Sequence, residues 1–282
     1  MWKTKLTIIS VTMVLGALGV AQAASASDGS LGRVKKAGVA IVCSSNDVPY
    51  AYKDPASGEP MGTDVEMVRS ILQRIGVPKL ELYITEFSSL IPALQSGRCD
   101  FIADNMGITV KRSQEVAFTA PMYQAGLVII VPKGNPAHLT DVAEFSGKTL
   151  AAYLGAIQLD WMKEMAKKDP TITVKSFKNA TEIIAELGAG RLDGALVDGM
   201  IAANVLKTNP SAPFEIVDYS LPIGDYAIGA AFRKEDQELR HAFEDAHREN
   251  LLSGDFDSIL TKWQLTPKSL YYPYPQCCAA GK

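Results

Sequence analysis

Histidine and cysteine are scarce in this 282-residue chain, three and four residues respectively. That scarcity removes several kinds of chemistry. His138 falls in a loop context, and His241 and His247 stand six apart on one charged helix, on different faces, whereas a pair of metal ligands needs a spacing such as i,i+4. All three read as solvated surface residues, and no metal site is expected. Cys43, Cys99, Cys277 and Cys278 are too few and too scattered for a disulfide scaffold. Cys43 and Cys99 each belong to an apolar strand-like run and read as buried free thiols, with a Cys43 to Cys99 disulfide as the alternative. A block of positive charge is also missing: 28 Lys and Arg stand against 31 Asp and Glu, so no run of phosphates could be neutralised and nucleic-acid binding is excluded. No G-x-S-x-G, H-E-x-x-H, C-x-x-C or G-x-G-x-x-G occurs. Gly147-Lys148-Thr149 ends like a phosphate loop, but Val142 stands where its first glycine is required. No catalytic constellation and no cofactor site emerges.

Long apolar runs are missing too, with one exception. Lys3 and Lys5 precede Leu6 to Val20, and Ala21-Gln22-Ala23 follows. This order reads as a secretory signal peptide over residues 1–23; the run is short of the roughly 20 residues a membrane span needs. Its removal leaves 26 basic against 31 acidic groups, an acidic product. With no cysteine just after the cleavage site to take a lipid, that product is expected free in the periplasm of a Gram-negative cell. At the other end, Tyr271-Tyr272-Pro273-Tyr274-Pro275 and Cys277-Cys278 make an irregular tail over 267–282.

What remains has the means to fold. Hydrophobic residues make up 47% and charged residues 21%, enough for a packed core, and the length suits two lobes. The periodicities alternate. Val39 to Cys43 reads as a strand, Asp64 to Ile75 as a helix ended by Gly76, Leu80 to Thr85 as a strand, Ser88 to Ser96 as a helix stopped by Gly97, and Asp100 to Ala103 as a strand. A second series follows, with strands at Thr149 to Tyr153, Ile172 to Phe177 and Leu192 to Val197 and a helix at Ala156 to Lys167. Asn179 and Glu182 form a capping box for the helix to Leu187. This is an open α/β layer repeated.

An internal repeat supports that reading. Leu90 to Ile102 matches Ile183 to Ala195, pairing Gly97 with Gly190 and Asp100 with Asp193. In both copies the strand runs on into polar residues, Asp104-Asn105 in one and Asp198 in the other. These sit at carboxyl ends of strands, where open α/β sheets bind ligands, and two such edges face to face would make a cleft.

The stretch Asp100 to Tyr123, DFIADNMGITVKRSQEVAFTAPMY, resembles the polar amino-acid family of periplasmic solute-binding proteins, family 3, the binding subunits of ABC importers. The resemblance extends through Gly62-Thr63-Asp64, Phe87 to Leu94, Gly97-Arg98-Cys99-Asp100, Leu154 to Gln158, Gly190 to Asp193, Ser253-Gly254-Asp255 and Lys262-Trp263. It implies the two-lobed (type II) periplasmic binding protein fold, each lobe an open sheet flanked by helices and joined by a two-strand hinge. Lobe 1 would comprise 31–125 plus 226–266 and lobe 2 126–225.

Carried over residue by residue, the resemblance makes Arg112 the grip on a ligand α-carboxylate, which suits a guanidinium fork. Asp198 would take the α-ammonium, and could cap the helix through Asn204 as well. Phe87 would cover the ligand side chain, and Tyr50 or Tyr52 would supply another aromatic wall. Departures from the family pattern are Asp104, Asn105 and Gly107 before the Ile108-Thr109 stretch, Ala156 and Ile157 in place of a hydroxyl, and Asp47 where an aromatic is common. Tyr153 and Gln158 complete the expected lining. Asp104 and Asp47 facing the cleft would leave it negative, which favours a ligand with extra positive charge, such as Lys, Arg or ornithine, its stem against Phe87 and Tyr153. If those aspartates bond local amides instead, a neutral polar amino acid fits.

The function implied is capture of a small zwitterion by a monomer that delivers it to a membrane permease. The alternatives are a dehydratase of the cyclohexadienyl type on the same fold, with Asp104 or Asp47 as general acid, and a ligand sensor for a membrane receptor.

Overall fold

The computed structural model describes residues 27–219 and 221–263; the expected signal peptide and the Cys277-Cys278 tail lie outside them. In chain order the first lobe begins with α1 (Ser30–Ala37), β1 (Val39–Ser44), a small hairpin of β2 (Tyr52–Lys53) and β3 (Pro60–Met61), α2 (Thr63–Arg74) and β4 (Lys79–Ile84). It continues through α3 (Leu90–Gln95), β5 (Phe101–Ile102), α4 (Val110–Ser113) and β6 (Ala117–Phe118). After β7 (Tyr123–Ala125) come β8 (Leu127–Pro132), β9 (Thr149–Tyr153), α5 (Ile157–Lys168), β10 (Thr173–Phe177), α6 (Ala180–Gly188), β11 (Gly194–Asp198), α7 (Gly199–Thr208) and β12 (Phe214–Val217). The chain returns through β13 (Tyr226–Ile228) and β14 (Ala231–Phe232) to α8 (Gln237–Ser253) and α9 (Asp255–Lys262).

Two five-stranded sheets result, in the orders β4-β1-β5-β14-β6 and β10-β9-β11-β8-β12. In each, the strands joined by helices run parallel, and a strand that arrives by another route, β14 or β8, pairs antiparallel. Between the sheets, β7 and β13 pair antiparallel, Ala125 opposite Tyr226 and Tyr123 opposite Ile228, as the two strands that link the lobes. Because β14 sits inside the first sheet, that lobe needs the chain on both sides of the second. Phe101, Phe232 and Phe243 pack there ring to ring at 5.2 to 5.4 Å, tying α8 to the sheet.

The internal repeat has a physical basis. Gly97 and Gly190 both adopt positive φ, 75° and 69°, ending the helix before the strand. Asp100 and Asp193 then do the same work: each carboxylate accepts a backbone N–H from the neighbouring strand, Ile41 at 2.9 Å and Thr149 at 2.7 Å. Each amide returns a bond to the carbonyl of that same residue. One side chain thereby locks strand register in both lobes.

Three expectations are corrected. Cys43 and Cys99 form a disulfide, their Cα atoms 5.5 Å apart, because the helix between them returns the chain beside β1. His247 is not solvated: it is buried on the inner face of α8, edge-on to Phe256, and burial lowers its pKa to about 4. Asn179 does cap α6 by accepting the Glu182 amide, but the Glu182 carboxylate accepts the amide of Lys178 and not that of Asn179, so the box is not closed.

Candidate functional site

The carboxyl ends of β1, β5, β9 and β11 converge on one small cavity between the lobes. Of the residues named above, Asp47, Phe87, Asn105, Gly107, Arg112, Tyr153, Ala156, Ile157, Gln158 and Asp198 line it, together with Ile201 and Tyr226.

Arg112 is fixed by its own turn. Thr109 caps α4, its hydroxyl accepting the Arg112 amide at 3.1 Å, so the spacing T-x-x-R aims the side chain. The guanidinium donates to the Gly107 carbonyl at 2.6 Å and, across the cleft, to the Gly155 carbonyl at 3.0 Å, and lies over the Phe87 ring at 5.3 Å. Two of its five N–H donors are thus spent and the others remain for a ligand. Burial lowers its pKa, yet a guanidinium stays charged. Beside it, α5 opens with no side chain capping it, so its first amides and the positive end of its dipole reach the same wall. Gly155 supplies the approach: it has φ +82°, and a Cβ there would stand 3.0 Å from Ser88 of the other lobe.

The other lobe contributes an acid. Asp198, 2% exposed, caps α7 by accepting the amides of Met200 and Ile201 at 2.9 and 3.2 Å, and Tyr50 donates to the same oxygen at 2.8 Å. Its other oxygen accepts from Asn105 at 3.1 Å and from Tyr226 at 3.3 Å. Burial raises its pKa, against the pull of these bonds. Capping and facing the cavity therefore coexist in one carboxylate. Two buried polar atoms on the wall, Asn105 Oδ1 and the Tyr153 hydroxyl, have no protein partner, and such atoms are costly until something bonds them.

The structure separates the remaining residues. Tyr50 lies behind Asp198 and touches it without lining the cavity, whereas Tyr52 is in the β2–β3 hairpin, away from it. Asp104 does not face the cleft. Its carboxylate turns back under β1, accepting from the Ser45 amide at 2.7 Å and meeting the hydroxyls of Ser44 and Ser45. The local-amide arrangement holds for Asp104, so only Asp47 contributes negative charge from that loop. Asp64, missed as a site residue, is buried behind Asn105, accepting its amide at 2.8 Å and the Tyr123 hydroxyl at 2.7 Å. Burial raises it to about 6. Tyr226 and Ile201 were also missed. Ile201 follows Asp198 by three residues, the spacing that puts a residue on the capped first turn; Tyr226 could be read only as a linking strand.

The sequence profile of the bacterial extracellular solute-binding proteins, family 3, matches residues 39–266. The chain belongs to that family. Among curated relatives, a probable amino-acid ABC transporter periplasmic-binding protein of Sinorhizobium fredii, y4tE, is 30% identical over 93% of this chain and 88% of its own. The lysine/arginine/ornithine-binding periplasmic protein of Escherichia coli is 31% identical over 76% of this chain and 83% of its own. Among solved structures, an ancestral arginine-binding protein bound to arginine superposes with a TM-score of 0.72 at 32% identity, covering 80% of this chain and 98% of that one. As a family 3 solute-binding protein, the chain has the two-lobed fold whose sheets and linking strands are described above.

Proposed function

We propose that this protein captures an α-amino acid between its lobes in the periplasm and hands it to the membrane permease of an ABC importer. One observation carries the reading: Arg112 from one lobe and Asp198 from the other line a single cavity. A zwitterion fits that polarity. Its α-carboxylate meets the spare donors of Arg112 and the amides at the start of α5; its α-ammonium meets Asp198. Asn105 Oδ1 and the Tyr153 hydroxyl gain partners, and Phe87 and Ile201 supply apolar surface. Because the two charged groups belong to different lobes, binding holds the lobes together, with 31–125 and 226–266 moving as one body and 126–225 as the other. The reading is of a binder and not an enzyme: Asp104, one candidate acid, is turned away from the cavity, and Asp47 has a role argued below.

A thermal-shift panel of the standard amino acids and ornithine tests this, since a ligand present at a hundred times its Kd stabilises the folded state by about 2.7 kcal/mol. At least one amino acid should raise the melting temperature by several degrees, and simple sugars should not. No shift with any amino acid at millimolar concentration would contradict the proposal.

A further inference from the structure

The loop after β1 surrounds one hydroxyl with two carboxylates. Ser45 Oγ lies 3.0 Å from Asp47 Oδ2 and within hydrogen-bonding distance of Asp104 Oδ2. Ser44 Oγ is placed alike, 2.6 Å from the Ala51 carbonyl and 3.1 Å from Asp104 Oδ1. Each hydroxyl has a single proton for two acceptors. The closest contact is met when Asp104 carries a proton on Oδ2 and donates it to Ser45, leaving Ser45 free to donate to Asp47 while Ser44 donates to the Ala51 carbonyl. Asp104 thus stays neutral out of reach of ligand, while Asp47, partly buried, stands on the cavity wall. The groups around Asp47 are Ser45 of its own loop, Asp104 after β5, Tyr153 at the end of β9 and Asp198 at the end of β11, with Arg112 and Tyr226 also on the cavity wall and Asp64 of α2 beside Asp104. Asp198 repels its charge.

We propose that Asp47 selects the ligand side chain by proton exchange. A cationic amino acid pairs with the ionised carboxylate and expels its proton to solvent; a neutral amino acid accepts a hydrogen bond from the protonated form. This rests on the cavity being an amino-acid site. Burial, and then the charge of Asp198, raises Asp47 to about 6, so the exchange falls in mildly acid solution. Burial and the repulsion of Asp47 push Asp104 well higher, in keeping with its held proton.

Titration calorimetry of the full chain with arginine and with glutamine, from pH 5 to 7 in two buffers of different ionisation enthalpy, reads the exchange directly. Asp198, Arg112 and the α-groups meet both ligands alike, so their titration cancels in the arginine-to-glutamine affinity ratio. That ratio should rise about a hundredfold from pH 5 to pH 7, because arginine takes the ionised and glutamine the protonated carboxylate, and arginine should release roughly three quarters of a proton at pH 5.5. Asp47→Asn should flatten the ratio. Ser45→Ala, which removes a bond that favours the ionised form, should move the midpoint upward. A ratio independent of pH, or a wild-type profile in Asp47→Asn, would overturn the exchange while leaving amino-acid binding intact. No binding of either ligand at any pH, together with an empty thermal-shift panel, would overturn the functional reading and the exchange with it.

Discussion

Asp198→Asn separates helix capping from the proposed binding of the ligand ammonium. The carboxylate is buried, and one oxygen is committed to the amides of Met200 and Ile201 and to Tyr50, the other to Asn105 and Tyr226. Asparagine keeps an acceptor for the cap, so α7 should lose about 1 kcal/mol or less. Its amide group, however, would point a donor at Asn105 and at the ligand ammonium, where a negative charge stood. Breaking a buried pair by removing one partner costs roughly 3 to 5 kcal/mol, so affinity should fall from about a hundredfold to several thousandfold. Asp198→Ala should lose as much affinity and also about 0.5 to 2 kcal/mol of stability through the missing cap. Calorimetric titration gives the first quantity and thermal melting the second. If Asp198→Asn binds within about threefold of wild type, Asp198 is a helix cap alone and the assignment of the ammonium to it is wrong.

Lobe closure should reduce the radius of gyration in small-angle scattering when saturating amino acid is added, and an unchanged radius would argue against motion about β7 and β13. Reducing the Cys43–Cys99 bridge, which joins residues 56 apart in sequence, should lower stability by about 2 to 4 kcal/mol, seen as a lower melting temperature with dithiothreitol. His247 gives a pH dependence of known sign. Its pKa is about 4 when folded against 6.5 unfolded, so below pH 6.5 only the unfolded chain takes the proton and stability falls toward pH 4, by about 3 kcal/mol in all. Melting curves of His247→Leu should lack that loss relative to wild type; parallel curves would show that the ring is already protonated in the fold.

The sequence revealed the strands and their carboxyl ends because period-2 and period-3.6 patterns are local, and the repeat around Asp100 and Asp193 because one device is used twice. Asp198 was legible as a polar residue following a strand, and Arg112 through the family resemblance of the stretch around it. What depended on distant partners was not. The disulfide needed β1 and the turn after α3 brought together, and Asp104 needed Ser44 and Ser45 to fold over it. Tyr226 reaches the cavity only because β13 pairs with β7. A finer reading could have placed His247, which lies four residues after Phe243 and eight after Leu239, on the face that α8 buries.

On the proposed function, one cavity holds both charged ends of an amino acid, Arg112 at the carboxylate and Asp198 at the ammonium. Calorimetry at pH 7 with arginine, with agmatine, which lacks the α-carboxylate, and with 5-guanidinopentanoic acid, which lacks the α-amine, tests it most directly. Arginine should bind, and each analogue should be weaker by about a hundredfold or more, since each strands one buried charge of the protein. Either analogue binding within a few fold of arginine would contradict the account.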